Sequence, residues 1–108
     1  MGEIAYQHTG LASGRWDKMS FAEQMGNIGS EVSRALRWYG KNQVRYQSSF
    51  DRALELMDLS IEKAQNGAQL KELCRAREEL CDYFNGNSWG SRPQTIQKYY
   101  DQFVSLVR

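Results

Sequence analysis

Apolar residues recur at steps of three and four along most of this chain, a spacing that places them on one face of an α-helix. Ser20 and Glu23 precede the first such stretch at the spacing of a capping box, in which each side chain satisfies a free backbone amide. Gly40 follows the stretch, and glycine favours the left-handed conformation at a helix end. The pattern predicts a first helix over residues 20 to 39, whose apolar face comprises Phe21, Met25, Ile28, Val32, Ala35, Leu36 and Tyr39.

A second periodic stretch begins after Asn42, a residue type that caps helix N-termini, and it predicts a helix over residues 43 to 65. The start of this helix has an alternative, because Ser48 and Ser49 would equally cap a helix that begins at residue 50 after a longer loop. The apolar positions common to both alternatives are Phe50, Ala53, Leu54, Met57, Ile61 and Ala64.

Two further stretches are separated by the turn-forming residues 85 to 92, after which Pro93 occupies a position that proline favours in a first helical turn. The third helix is predicted to bury one side, on which free cysteines behave as small apolar groups. That side comprises Leu70, Leu73, Cys74, Leu80, Cys81 and Phe84. The apolar side of the fourth helix comprises Ile96, Tyr99, Tyr100, Phe103, Val104 and Val107.

Four amphipathic helices with short connections predict an all-α fold, an antiparallel four-helix bundle in which consecutive helices are neighbours. Residues 1 to 18 lack helical periodicity and hold three glycines, so we interpret them as an irregular N-terminal arm. Trp16 is a candidate for attaching the end of that arm to the bundle. Residues 19 to 108 are expected to form one domain, since a chain of 108 residues has room for a single core.

The segments SFAEQMGNIGSEVSRALRW, FDRALELMDLSIEK, LKELCRAREELCDYF and KYYDQF resemble a family of short bacterial helical proteins of uncharacterised function. The resemblance spans residues 19 to 103. None of these segments is an established catalytic motif. The resemblance therefore implies a helical fold and brings no catalytic residue, binding residue or cofactor with it.

The formal net charge is +1, so the chain is not the strongly basic protein that a dedicated nucleic-acid binder often is. Its amino terminus lacks the features of a secretory signal, and no run approaches the roughly 20 apolar residues of a membrane span. Cys74 and Cys81 would lie about 10 Å apart on a helix, too far for a disulfide, so we expect free and mostly shielded thiols. Free thiols without an export signal favour a cytoplasmic location.

The connection between the first two predicted helices is rich in cations and aromatic rings, and no acidic residue occurs between Val32 and Phe50. Guanidinium groups suit phosphates and rings suit bases, so this segment is a candidate nucleic-acid interface. The alternative is structural, because cations near the end of a helix balance its dipole and rings pack between helices. This basic-aromatic turn comprises Arg34, Arg37, Trp38, Tyr39, Lys41, Arg45 and Tyr46.

Gly26 and Gly29 lie inside the first predicted helix, where each glycine costs about 1 kcal/mol relative to alanine. With Ser30 and Ser33 they form a strip of small residues that would let a second helix or a second chain approach closely. We therefore predict a close contact with another helix at Gly29.

No Ser-His-Asp, Cys-His or phosphate-cradling glycine motif can be assembled from this sequence. The leading hypothesis is a non-catalytic module that binds a protein partner or a second copy of itself, without a cofactor. The small-residue strip and the basic-aromatic turn supply its candidate contact residues. The first alternative is nucleic-acid binding through the basic-aromatic turn.

The second alternative is magnesium-dependent nucleotide hydrolysis. Glu55 and Asp58 on the second helix, and Glu79 and Asp82 on the third, are carboxylate pairs that can face each other in an antiparallel bundle. Magnesium prefers oxygen ligands, and such pairs resemble the metal sites of all-α nucleotide pyrophosphatases, although the ExxE pair of those enzymes does not occur. The structural alternative is that these carboxylates lie on an exposed helix face and form ion pairs with neighbouring arginines.

Arg77 follows Leu70 by seven residues, which places a cation beside the predicted apolar side of the third helix. A cation at that position indicates a buried or interfacial salt bridge. The candidate carboxylates are Glu31, Glu55 and Asp58.

Overall fold

The computed structural model describes residues 14–107, and over that range the protein is all-helical, without strands. A short 3₁₀ turn, Trp16–Lys18, precedes four α-helices: α1 (Phe21–Trp38), α2 (Gln43–Glu62), α3 (Gly67–Phe84) and α4 (Pro93–Leu106). The predicted all-α fold is confirmed, whereas the first 13 residues of the predicted N-terminal arm lie outside the described range. None of these four helices is long and apolar enough to cross a lipid bilayer.

Side-chain caps set the starts of the first two helices. Ser20 Oγ accepts a hydrogen bond from the Glu23 amide at 3.1 Å, and Glu23 Oε1 accepts one from the Ser20 amide at 2.8 Å, so the predicted capping box is present. Asn42 Oδ1 accepts from the Arg45 amide at 3.0 Å, which places the start of α2 directly after Asn42 and excludes the later start. The end of α2 is Glu62, earlier than predicted, since the chain turns there toward α3.

Several side-chain contacts join the start of one helix to the end of another. Ser60, near the end of α2, donates a hydrogen bond to Gln24, near the start of α1. Arg45, near the start of α2, lies over the Trp38 ring at the end of α1. Tyr46, near the start of α2, contacts Phe84 at the end of α3, and Phe21, at the start of α1, contacts Phe103 near the end of α4. Other contacts between elements join Asp58 to Arg77, Glu72 to Tyr99 and Glu79 to Ser91.

Trp16 belongs to the core although it precedes the first long helix. Its side chain is fully buried, and its indole Nε1 donates to Ser60 Oγ at 3.0 Å. That hydroxyl donates to Gln24 Oε1 at 2.8 Å, and Gln24 Nε2 donates to the Trp16 carbonyl at 3.2 Å. The last three residues of the predicted arm are therefore an ordered turn attached to α1 and α2. The rest of the buried apolar cluster comprises Met25, Ile28, Val32, Ala53, Leu56, Met57, Leu59, Leu73, Leu80, Ile96 and Tyr100.

Helix α4 approaches α1 most closely at Gly29. A Cβ atom at this position would lie 2.6 Å from Tyr100 Cβ, a separation that real side chains do not tolerate. The predicted close contact at Gly29 is thus confirmed, and its partner is a helix of the same chain. At Gly26, one turn earlier, the nearest atom to an added Cβ would be Val104 Cγ2 at 3.8 Å, which is ordinary van der Waals contact.

The predicted buried side of α3 is wrong in part. Leu73, Ala76 and Leu80 are buried, whereas Leu70 is 41% exposed and Cys74 is exposed. Two apolar stripes overlap on this helix: one contains Leu70 and Cys74, and the other has Ala76 between Leu73 and Leu80. The stripe that contains Ala76 packs against the bundle. Both thiols are free, as predicted, but the expectation that both are mostly shielded fails for Cys74, because it lies beyond the edge of the buried stripe.

This geometry predicts two classes of thiol. In native buffer, Cys74 should react with a small disulfide reagent at nearly the rate of a free thiol, whereas half-buried Cys81 should react more slowly. Stopped-flow absorbance would measure the two rates. The variant Cys74→Ser should lose the fast phase and keep the slow one, and the opposite assignment would show that α3 presents a different face.

Candidate functional site

A groove between the second half of α1 and the first half of α2 collects four arginine side chains. Its volume is about 450 Å³, and none of its lining residues is acidic. The lining residues, which define the arginine groove, are Arg34, Arg37, Trp38, Val44, Arg45, Ser48, Ser49 and Arg52.

Helical spacing explains why these side chains meet. Arg34 and Arg37 are three residues apart on α1, and Arg45 and Arg52 are seven residues apart on α2, so each pair lies on one helix face. The short connection after Trp38 brings the end of α1 beside the start of α2. The faces of two consecutive helices thereby become the two walls of one groove.

A buried carboxylate fixes one of these arginines. Glu31 is only 7% exposed, and its Oε2 accepts a hydrogen bond from Arg34 Nη1 at 2.9 Å. Its other oxygen, Oε1, is buried without a hydrogen-bond partner among the described residues. A carboxylate in this position balances part of the positive charge and orients the Arg34 guanidinium at the wall of the groove.

A cation–π contact fixes a second arginine. The Arg45 guanidinium lies 4.7 Å from the centroid of the Trp38 ring. The ring is half-buried, and the Arg45 cation lies over it. The contact holds Arg45 in the groove at little further cost in side-chain entropy when a ligand binds.

The other rings of the basic-aromatic turn contact one another and Phe84, although Tyr39 is 49% exposed. Tyr39 and Tyr46 lie 5.1 Å apart, and each contacts Phe84, at 5.0 and 4.9 Å respectively. Tyr46 also stacks on Phe50 at 5.9 Å. Tyr46 is buried, and this burial raises the pKa of its hydroxyl. For Tyr46 the structural interpretation of the turn, that its rings pack between helices, therefore matches the geometry.

The predicted contact residues divide between two surfaces. Arg34, Arg37, Trp38 and Arg45 line the arginine groove, whereas exposed Lys41 lies in the turn outside it. The small-residue strip lines a separate groove between α1 and α4, to which Arg34 and Arg37 also contribute. The strip residues that line this second groove are Gly26, Gly29, Ser30 and Ser33.

Sequence reasoning missed one wall of the arginine groove. Arg52, Ser48 and Ser49 were not recognised as contact residues, although Arg52 follows Arg45 by seven residues on the same helix. That spacing indicates a shared helix face only if α2 begins before Arg45, and a helix that began at residue 50 would leave Arg45 outside it. With the helix start fixed at Gln43, the two arginines lie on one face.

The four candidate metal carboxylates do not converge. Asp58 forms a two-point ion pair with Arg77, whose Nε lies 2.9 Å and Nη2 3.4 Å from its two oxygens. The predicted salt bridge of Arg77 is thus present, with Asp58 as the acceptor. The hydrogen bond to Asp58 raises the pKa of the Arg77 guanidinium, so this arginine stays charged. Asp58 is consequently turned toward α3 and engaged there.

The two α3 carboxylates accept hydrogen bonds from the connection between α3 and α4. Glu79 accepts a hydrogen bond from Ser91 Oγ at 2.8 Å. Asp82 accepts from the Ser88 hydroxyl and from the Ser88 and Trp89 amides, and these bonds lower the pKa of Asp82, the hydroxyl most strongly. Within residues 14–107, no group of three or more acidic, histidine or cysteine side chains is placed to hold a metal ion. The expected magnesium site of Glu55, Asp58, Glu79 and Asp82 therefore lacks the geometry it requires.

No protein-family model, curated protein or solved structure matches this chain. The resemblance to short bacterial helical proteins consequently supplies no relative of known activity.

Proposed function

We propose that this protein is a non-catalytic interaction module that binds an acidic segment of a partner protein in the arginine groove. The observation that carries the proposal is that four arginines line one groove whose lining contains no acid. A guanidinium presents a rigid fork of donors that matches the two oxygens of a carboxylate. Arginine side chains on two helices suit several carboxylates of one segment.

Two of the four arginines are held in place before any ligand arrives. Glu31 orients Arg34, and the Trp38 ring supports Arg45. Preorganised side chains lose less conformational freedom on binding, so more of the contact energy contributes to affinity. Val44, which is 79% exposed at the same groove, offers an apolar contact for an aliphatic side chain of the partner.

Nucleic acid is the alternative ligand, and the Trp38 ring at the groove supports it. Binding of single strands usually combines cations with several rings on which successive bases stack. Here Trp38 already carries Arg45 on its ring, and Tyr46 is buried against Phe50 and Phe84. Tyr39 is half exposed but lies outside the groove, so Trp38 is the one aromatic ring among the lining residues. This favours carboxylates over bases as the groups that the groove recognises.

The chemistry of the groove favours binding over catalysis. Its lining groups are guanidinium, indole, hydroxyl and aliphatic side chains, none of which is a general base near neutral pH. A cytoplasmic location fits the two free thiols, since such thiols persist in a reducing compartment.

A binding assay with defined anions tests the proposal. Fluorescence anisotropy would follow a labelled oligoglutamate peptide with one central leucine, and a labelled oligothymidylate of equal formal charge, across a salt series. We expect the peptide to bind more tightly than the oligonucleotide at physiological salt. Arg45→Glu should weaken peptide binding by at least about tenfold, equivalent to about 1.4 kcal/mol, because it removes one guanidinium and introduces repulsion.

Two control variants separate specific recognition from general charge. Lys71→Glu makes the same charge change at an exposed position on α3, outside the arginine groove, and should leave peptide affinity nearly unchanged. Arg45→Lys keeps the charge without the fork and should give an intermediate affinity. Equal losses in Arg45→Glu and Lys71→Glu, or no binding of either ligand, would overturn the proposal. Tighter and steeply salt-dependent binding of the oligonucleotide would establish the nucleic-acid alternative instead.

A further inference from the structure

The α2 wall of the arginine groove has the spacing of a face that packs against another helix. Its members lie at positions i, i+3, i+4 and i+7 of two helical turns and all line the groove: Arg45, Ser48, Ser49 and Arg52. Residues at these positions form one stripe along a helix, and such stripes are the contact faces between helices. In this stripe two cations flank two small residues.

The two serines form a low part of the groove between these cations. Ser48 is half-buried, and Ser49 is only 6% exposed. The Ser49 hydroxyl forms no hydrogen bond with another residue of the described range, so its hydrogen-bonding capacity is left for a ligand in the groove. The distance between packed helices depends on the size of the side chains between them. A helical ligand can therefore approach α2 closely at the serines while its carboxylates meet the arginines on either side.

The axial spacing of the arginines distinguishes a helical ligand from an extended one. Arg34 and Arg37 are about 4.5 Å apart along α1, and Arg45 and Arg52 are about 10.5 Å apart along α2, from the rise per residue of a helix. Carboxylates at positions i, i+3 and i+7 of a ligand helix share one face and recur at these same intervals. Carboxylates on one face of an extended segment recur at about 7 Å, which matches neither interval.

Two of the arginines cannot adjust freely to a ligand of different spacing. Glu31 holds Arg34 through a hydrogen bond of 2.9 Å, and the Arg45 guanidinium lies over the Trp38 ring. One fixed guanidinium lies on each wall of the groove. The spacing therefore selects among acidic segments, because a mismatched ligand would have to break one of these contacts.

We propose that the acidic segment bound in the arginine groove is an α-helix of a partner protein, with carboxylates at positions i, i+3 and i+7 on one face. This inference rests on the proposed function and adds the conformation and the charge pattern of the ligand. The mode of recognition is that of an amphipathic helix laid into a groove, with its charged face toward the arginines.

Binding should also raise the helix content of the ligand. Like charges one turn apart destabilise an isolated helix, so an acidic segment of this pattern is less helical when free. The guanidinium groups of the groove neutralise that repulsion. Circular dichroism of the mixture should therefore show more helix than the sum of the separate components.

Two peptides of identical composition test the spacing with the full chain. In the first, three glutamates occupy positions i, i+3 and i+7, with alanine and glutamine elsewhere. In the second, the same residues are reordered so that the glutamates point to different sides of the helix. Fluorescence anisotropy at physiological salt should show at least tenfold tighter binding of the first peptide. A proline at the centre of the first peptide, which breaks the helix, should remove that advantage.

Charge exchange tests the register of the bound helix. Arg45→Glu and Arg52→Glu should each weaken binding of the first peptide at least tenfold. Two further peptides carry lysine in place of one glutamate, at position i or at position i+7. One of them should restore binding to Arg45→Glu and the other to Arg52→Glu, and the assignment reports the direction of the helix. A peptide of the same net charge, with lysine at i+5 and glutamine at i, is the matched control and should restore less.

The outcomes separate this inference from the proposed function. Equal affinities of the two isomeric peptides, an unchanged helix content on binding, or equal rescue by the control peptide overturns the helical ligand. In each of these cases binding itself persists, and the recognition of acidic segments stands. If neither these peptides nor the oligoglutamate peptide binds, the proposed function fails and this inference fails with it.

Discussion

Replacing Trp16 with alanine is expected to lower the free energy of unfolding by about 3 to 5 kcal/mol, the range typical of large aromatic side chains removed from a core. The Trp16 side chain is fully buried, and its indole N–H donates to Ser60 Oγ. The truncation leaves a cavity and removes the donor that joins the N-terminal turn to α2. Equilibrium unfolding in urea, followed by circular dichroism, would measure the loss.

Trp89→Ala is the matched control, because it removes the same side chain from a position that is 52% exposed. Its effect on stability should stay within about 0.5 kcal/mol, as is usual for surface substitutions. Equal losses for the two variants would contradict the assignment of Trp16 to the core. They would also restore the interpretation of residues up to Lys18 as an arm that contributes little to the bundle.

Gly29→Leu is expected to destabilise the protein by about 2 to 3 kcal/mol through overpacking. Even the first added carbon would lie 2.6 Å from Tyr100 Cβ. Because Cβ is attached directly to the backbone, Tyr100 cannot relieve this contact by changing rotamer, and α4 must move away from α1. The melting temperature and the urea midpoint should both fall.

Gly26→Ala is the internal comparison for that experiment. The nearest atom to its new methyl group, Val104 Cγ2, is 3.8 Å away, so no steric cost is expected. Alanine is favoured over glycine inside a helix by about 1 kcal/mol, and the variant should be slightly more stable than the wild type. Stability changes of opposite sign for the Gly26 and Gly29 variants would establish where α4 crosses α1. Stability changes of equal sign would place the crossing elsewhere.

Features encoded by neighbouring residues were predictable from the sequence. The start of α1 depends on Ser20 and Glu23, three residues apart, and the structure has both hydrogen bonds. The existence of a salt bridge at Arg77, though not its partner, was predictable because a cation beside an apolar stripe requires an opposite charge. The choice of Asp58 among three candidate carboxylates depended on how α2 and α3 are rotated against each other.

Features that depend on helix rotation were not predictable. On α3, Leu70 and Cys74 fit the apolar spacing as well as Ala76 does, and packing alone selected the stripe that contains Ala76. The arginine groove has the same origin, since Arg52 joins Arg34 only after α2 has packed against α1. Periodicity defines a helical face, but it does not specify which residues of another helix oppose it.

Three tryptophans provide the most direct measurement of whether the arginine groove is the binding surface. In a ¹H–¹⁵N NMR titration with the oligoglutamate peptide, each indole N–H gives a separate signal. Trp38 lines the arginine groove, Trp16 is buried beside Ser60, and Trp89 is exposed on the connection between α3 and α4. We predict that the Trp38 signal shifts in a saturable manner while the Trp16 and Trp89 signals stay in place. A saturable shift of the Trp89 signal without one of Trp38, or no shift of any indole signal at saturating peptide, would contradict the assignment of the arginine groove as the binding surface.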